Sequence, residues 1–141
     1  MTTEPRSPHP RPARHGLEGE RGSATLELAI VFPAVLALIM AIVQTGIYWH
    51  ARTLALTAAQ EGLRSASTLH GSTSTGRADA ADFLHRAGAD GWLTNQNVDA
   101  DRSRTQATVT ITGRVISLIP GLPGLPVRQH ASGPVERPTA P

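Results

Sequence analysis

An uncharged run from Leu28 to Trp49, about 22 residues, constrains this chain more than any other feature. At about 1.5 Å of rise per helical residue it is long enough to cross the roughly 30 Å hydrocarbon core of a bilayer. Core helices of soluble proteins rarely go so far without a charge. Within the run, Ala29, Pro33, Ala37, Ala41 and Thr45 recur every four residues. This spacing predicts a stripe of small side chains of the kind that lets helices pack closely in lipid. Pro33 has no amide hydrogen, and its ring clashes with the carbonyl four residues back, so a kink or local unwinding is expected there.

Glu27 stands immediately ahead of the run. A carboxylate at the edge of hydrocarbon is costly unless it is paired or reaches water. One reading is a first-turn acid favoured by the helix dipole at headgroup depth. The other is a residue waiting for a cation. Residues i and i+4 of a helix share a face about 6 Å apart, so an α-amino group created on Ser23 by a cut after Gly22 would serve, as would the amine of a neighbouring copy. Gly22 suits such a cut because a protease can approach a backbone that lacks Cβ.

Residues 1–21 are rich in Pro, Arg and Gly and hold one large aliphatic residue, Leu17, which predicts a disordered leader. Arg6, Arg11, Arg14 and Arg21 precede the apolar run, against Arg52 and Arg64 closely following it. The positive-inside rule then places the N-terminus in the cytoplasm and the C-terminal part outside the membrane. After the run, Tyr48, Trp49 and His50 read as an interfacial belt. Ala51, Ala55, Ala58, Ala59, Gly62 and Ala66 continue a small-residue face opposite Arg52, Gln60, Glu61 and Arg64. One helix from about Ser23 to Ser67 is expected, its small face suited to packing against other helices.

Gly22 and Glu27 ahead of a long apolar helix resemble the type IV prepilin cleavage motif. With Gly-Ser-Ala-Thr-Leu-Glu, Pro33, Gly46 and the block Ala58-Ala59-Gln60-Glu61-Gly62-Leu63-Arg64, the match narrows. It resembles the TadE-like minor pilins, or pseudopilins, of the Tad (Flp) tight-adherence pilus system, over about residues 20–67. The resemblance implies cleavage between Gly22 and Ser23 by a membrane prepilin peptidase, a register role in assembly for Glu27, and helix packing through Ala29, Pro33, Ala37, Ala41 and Thr45. Ala58, Ala59, Glu61, Gly62 and Arg64 are the family-motif positions. The implied partners are the membrane, the peptidase, sister pseudopilins, the major pilin and the platform proteins and ATPase of the machine.

Beyond the helix, GSTSTG at 71–76 reads as a flexible link. It imitates a phosphate loop, but Arg77 and Ala78 stand where Lys and Ser or Thr are needed. A short helix is expected at about Arg77 to Ala87, with Ala80, Phe83, Leu84 and Ala87 on one face, Trp92 and Leu93 packing on it, and an end at Gly88 or Gly91. Ala107, Val109, Ile111, Gly113 and Val115 alternate with Thr108, Thr110, Thr112 and Arg114, which predicts a strand. Gln96–Asp101 and Val127–Val135 are weaker strand candidates. Leu118 to Pro126 is an apolar loop with three prolines, read either as a turn capping the sheet or as a surface for the membrane or a partner. Residues 134–141 read as a frayed tail.

Composition excludes several classes of function. There is no cysteine in the 141 residues, hence no disulfide framework and no thiolate metal site. A net charge of +2 with scattered arginines gives no nucleic-acid face. The histidines lack ligand spacing, Asp99 and Asp101 begin a calcium loop that Arg104 breaks, and no nucleophile elbow is present. No catalytic residue, metal, cofactor or small-molecule substrate is expected.

The sequence therefore predicts an α+β chain. A leader (1–21) precedes a transmembrane and stalk helix (22–69), then a small extracytoplasmic domain (70–133) with a short helix and a two- to three-stranded antiparallel sheet, then a tail (134–141). The expected role is non-enzymatic: a single-pass plasma-membrane protein in assembly of a Tad/Flp-type pilus or related secretion apparatus. Two other readings stay open. One is a single-pass envelope protein whose exported domain binds a partner unrelated to pili. The other is a secreted protein cut after Thr57-Ala58-Ala59, against which Arg52 and the overlong apolar run argue.

Overall fold

The computed structural model describes the backbone of residues 18–137, with side chains from residue 27 onward. Most of the expected leader, residues 1–17, and the end of the tail, residues 138–141, lie outside the described residues. The chain divides into two compact units, Met1–Leu38 and Ile39–Pro141. Helix α1 spans Glu18–Ser67 and contributes to both. It starts four residues before Gly22, so the last part of the expected leader is helical.

In the first unit α1 is bare. Leu28, Ile30, Val31, Phe32, Val35, Leu36 and Leu38 are all exposed. A helix apolar on every side needs lipid or a protein core around it, and within its unit this one has neither. Helical structure runs through Pro33 without a break. The unwinding expected there does not occur, because losing one bond at the Ala29 carbonyl removes little from so long a hydrogen-bonded ladder.

The second unit is built on the remainder of α1, from Ile39 to Ser67. Helix α2 spans Thr73–Arg86, a single 3-10 turn follows at Ala89–Gly91, and the strands are β1 (Leu93–Arg102), β2 (Gln106–Val115) and β3 (Pro126–Pro134). They form an antiparallel meander in the order β1-β2-β3. The period-2 pattern decides the sheet's inner face: Ala107, Val109, Ile111 and Val115 of β2 are buried, joined by Leu93 and Ala100 from β1 and Val127 from β3. Gly113 keeps the inward phase without a side chain because Leu93 fills its place; a Cβ there would collide with Leu93 Cδ2. Between Thr94 and Asn97 the register slips, with Asn95 at φ 52°, a left-handed conformation that Asn tolerates better than most residues.

Two expectations about this unit are corrected. The 71–76 segment is not a flexible link, since α2 starts within it. The Ser72 hydroxyl accepts the Thr75 amide at 3.1 Å, a side-chain cap that satisfies one free N–H and starts the helix four residues before Arg77. Nor does the chain fray after Gly133. Pro134 belongs to β3, the Val135 amide donates to Thr105 O at 3.1 Å and the Glu136 amide to Ser67 O at 2.9 Å, so the backbone stays paired through Glu136.

Trp92 also departs from expectation. Leu93 enters the core, but Trp92 remains 38% exposed and stands edge-on to His50, ring centroids 5.7 Å apart.

The Leu118–Pro126 segment is tethered to α1. Gln44 Nε2 donates to Ile116 O at 3.0 Å, and Gln44 Oε1 accepts the Leu118 amide at 2.9 Å. At its other end the Val115 amide donates to Leu125 O at 2.9 Å.

Candidate functional site

The motif block Ala58, Ala59, Glu61, Gly62 and Arg64 lies near the C-terminal end of α1. Helical period sorts it: Ala58, Ala59 and Gly62 are buried, Glu61 is half-buried and Arg64 is exposed. Gly62 is where α2 crosses. A Cβ at Gly62 would collide with Gly76 O and come within 2.8 Å of Ala80 Cβ. One at Gly76 would lie 2.7 Å from both Ala66 Cβ and Gly62 O. Two glycines thus face each other backbone to backbone, and the Ser65 hydroxyl donates to the Asp79 carboxylate beside them.

This geometry redirects the small-residue face. Ala51, Ala55, Ala58, Ala59 and Ala66 have no exposed surface and line the core with Ala80, Leu84, Val109 and Ile111. The face does pack against a helix, but the helix is α2 of the same chain. It also bears on the secretion reading: a bond after Ala59 lies inside a helix directly behind two buried residues, and cutting it would remove Ala51, Ala55, Ala58 and Ala59 from the core.

The other candidate positions lie on bare helix. Gly22 and Ser23 are on the helical backbone of α1, in the part where side chains are outside the described residues. Glu27 is exposed, as are Ala29, Pro33 and Ala37 of the first unit. In the second unit Ala41 and Thr45 are exposed, and the Thr45 hydroxyl donates to Ala41 O at 2.8 Å. The described ion pairs, Arg77–Asp99 and Arg86–Asp82, are exposed and belong to the second unit. Among the described residues one helix is long and apolar enough to cross a membrane, and none of its apolar stretch is buried.

Residues 22–64 match the family of TadE-like proteins. The TadE-like segment begins at Gly22 and ends at Arg64, so it holds both the bare part of α1 and most of its alanine face. No curated protein and no solved structure matches the chain. The matched segment lies on the helix that is long and apolar enough to serve as a single-pass membrane anchor.

Gln44, Ser72 and Gly76 are positioning residues that the sequence did not single out. Gln44 was hidden by its uncharged surroundings, and its two partners are 72 and 74 residues away. Gly76 has a readable signal only in retrospect, as the first of Gly76, Ala80 and Leu84 at spacing four.

Proposed function

We propose that this chain is a minor pilin, or pseudopilin, that takes part in assembling a Tad/Flp-type pilus or related secretion apparatus. It is inserted with the N-terminus in the cytoplasm and unit 2 outside, and it acts as a peptidase substrate and assembly component, not as an enzyme. The observation that carries this is the TadE-like match over residues 22–64, which covers a helix with an unburied apolar stretch. Cleavage between Gly22 and Ser23 by a prepilin peptidase leaves an amine four residues from Glu27. That amine, from the same or a neighbouring copy, compensates the carboxylate at the membrane edge and sets axial register between helices. Ala29, Pro33, Ala37, Ala41 and Thr45 are the positions for close approach of sister pseudopilins or the major pilin, because the lower alanine face is occupied internally. Platform proteins and the assembly ATPase complete the partner set.

N-terminal sequencing of the membrane-extracted protein tests the central step. A mature chain starting at Ser23, and an intact one in a strain lacking the peptidase, is the expected pair of results. An intact start in both strains overturns the processing step, and a start at Gln60 overturns the anchor itself.

A further inference from the structure

One end of the second unit collects features that its core does not use. From Val115 to Val127 the sequence holds no charged residue, while Arg114 and Arg128 flank it, both exposed. The loop in this stretch is fixed in place: Gln44 binds the Ile116 carbonyl and the Leu118 amide, the Ile116 amide donates to Trp92 O at 3.1 Å, and Leu125 O accepts from Val115. Gly124 lies so close to Val115 O that any Cβ would collide with it. Yet Leu122 is 56% exposed and Leu125 48%. Leucines held outward together on an ordered, uncharged loop form an apolar patch of the kind that marks a contact with a partner or a membrane.

Its place along α1 identifies that contact. The loop is tied at Gln44, within one turn of exposed Ile42 and Val43, whereas burial of α1 in the core begins at Ala51. Both tryptophans lie at this end, Trp49 exposed on α1 and Trp92 against His50 and bonded to Ile116. Exposed leucines, tryptophans and flanking arginines gathered around one loop are the chemistry of the headgroup–acyl boundary.

We infer that the loop from Ile116 to Leu125 is a second membrane contact, seating Leu122 and Leu125 in the outer headgroup–acyl boundary of the bilayer that α1 crosses. This rests on α1 being a membrane anchor. The contact holds unit 2 against the lipid surface at two points, so its sheet keeps one end toward the bilayer.

The native chain lacks cysteine, which permits single-site labelling. Leu122→Cys, Leu125→Cys, Ile42→Cys and Ser103→Cys are each labelled with bimane. Each full-length chain is then reconstituted into phosphatidylethanolamine–phosphatidylglycerol vesicles with or without acyl-brominated lipid. The expected result is a loss of emission at 122 and 125 close to that at 42 and several-fold greater than at 103, which lies in the β1–β2 turn. Quenching at 42 but not at 122 or 125 overturns the loop contact and leaves the anchor standing. Absence of quenching at 42 overturns the anchor and the contact with it. Labels at 122 and 125 that are shielded from aqueous iodide but untouched by brominated lipid indicate a second copy of the chain on the loop, and also overturn it.

Discussion

At the residue scale, two glycines of α1 separate backbone crowding from helix propensity. Gly62 has Gly76 and Ala80 against it, whereas nothing lies within 4 Å of a Cβ at Gly46. Gly62→Ala is expected to lower stability by about 1–3 kcal/mol through overpacking. Gly46→Ala is expected to be neutral or to gain roughly 0.5–1 kcal/mol by removing a helical glycine. Denaturation of the two variants in the same detergent micelle checks the opposite signs; equal effects would mean that the crossing is not tight. Ser72→Ala should cost about 1 kcal/mol, since the hydroxyl that accepts the Thr75 amide is lost. Faster amide exchange at Thr75, with exchange at Val109 much less changed, would locate the loss at the start of α2.

At the scale of elements, α1 carries two environments in one helix, and a charge placed in the bare part discriminates them. Leu38→Arg, near the middle of the apolar run, is expected to weaken insertion by about 2.5–3.5 kcal/mol. Ser103→Arg in the exposed β1–β2 turn should leave it unchanged. The fraction resisting carbonate extraction reports the difference, and equal retention of both would remove the case for a spanning helix. The sequence made this helix legible because length and absence of charge are local properties. It made β2 legible for the same reason, through alternation from Ala107 to Val115. What covers a face is not local. The alanines from Ala51 to Ala66 announced a surface for packing against helices but not its occupant, which is α2 and the sheet of the same chain. The early start of α2 was obscured by a Gly-Ser-Thr composition that reads as linker until Ser72 is seen capping it. Of the candidate site, the motif block was legible as a group. The division of its residues between core and surface required the fold.

At the scale of the whole molecule, the proposed orientation rests on arginine asymmetry and is open to a direct check. With Ser7→Cys and Ser103→Cys as separate variants in a strain lacking the prepilin peptidase, so that residues 1–22 are retained, a membrane-impermeant maleimide added to spheroplasts should label only the second, and lysis should expose the first. Labelling of Ser7→Cys alone would invert the topology and remove the proposed outer-leaflet seat of the loop. The burial of Ala51, Ala55, Ala58, Ala59 and Ala66 carries a last consequence, for proteolytic shedding. On the proposed anchoring, the stretch of α1 between lipid and sheet is itself a wall of the globule and not a dispensable stalk. Any enzyme that frees the folded part whole must cut upstream of Ile47, which packs against the core, and the released piece then carries away greasy residues such as Ile47 and Trp49. A break below that point divides the core between the two fragments, so under the proposed anchoring the folded part is hard to shed intact.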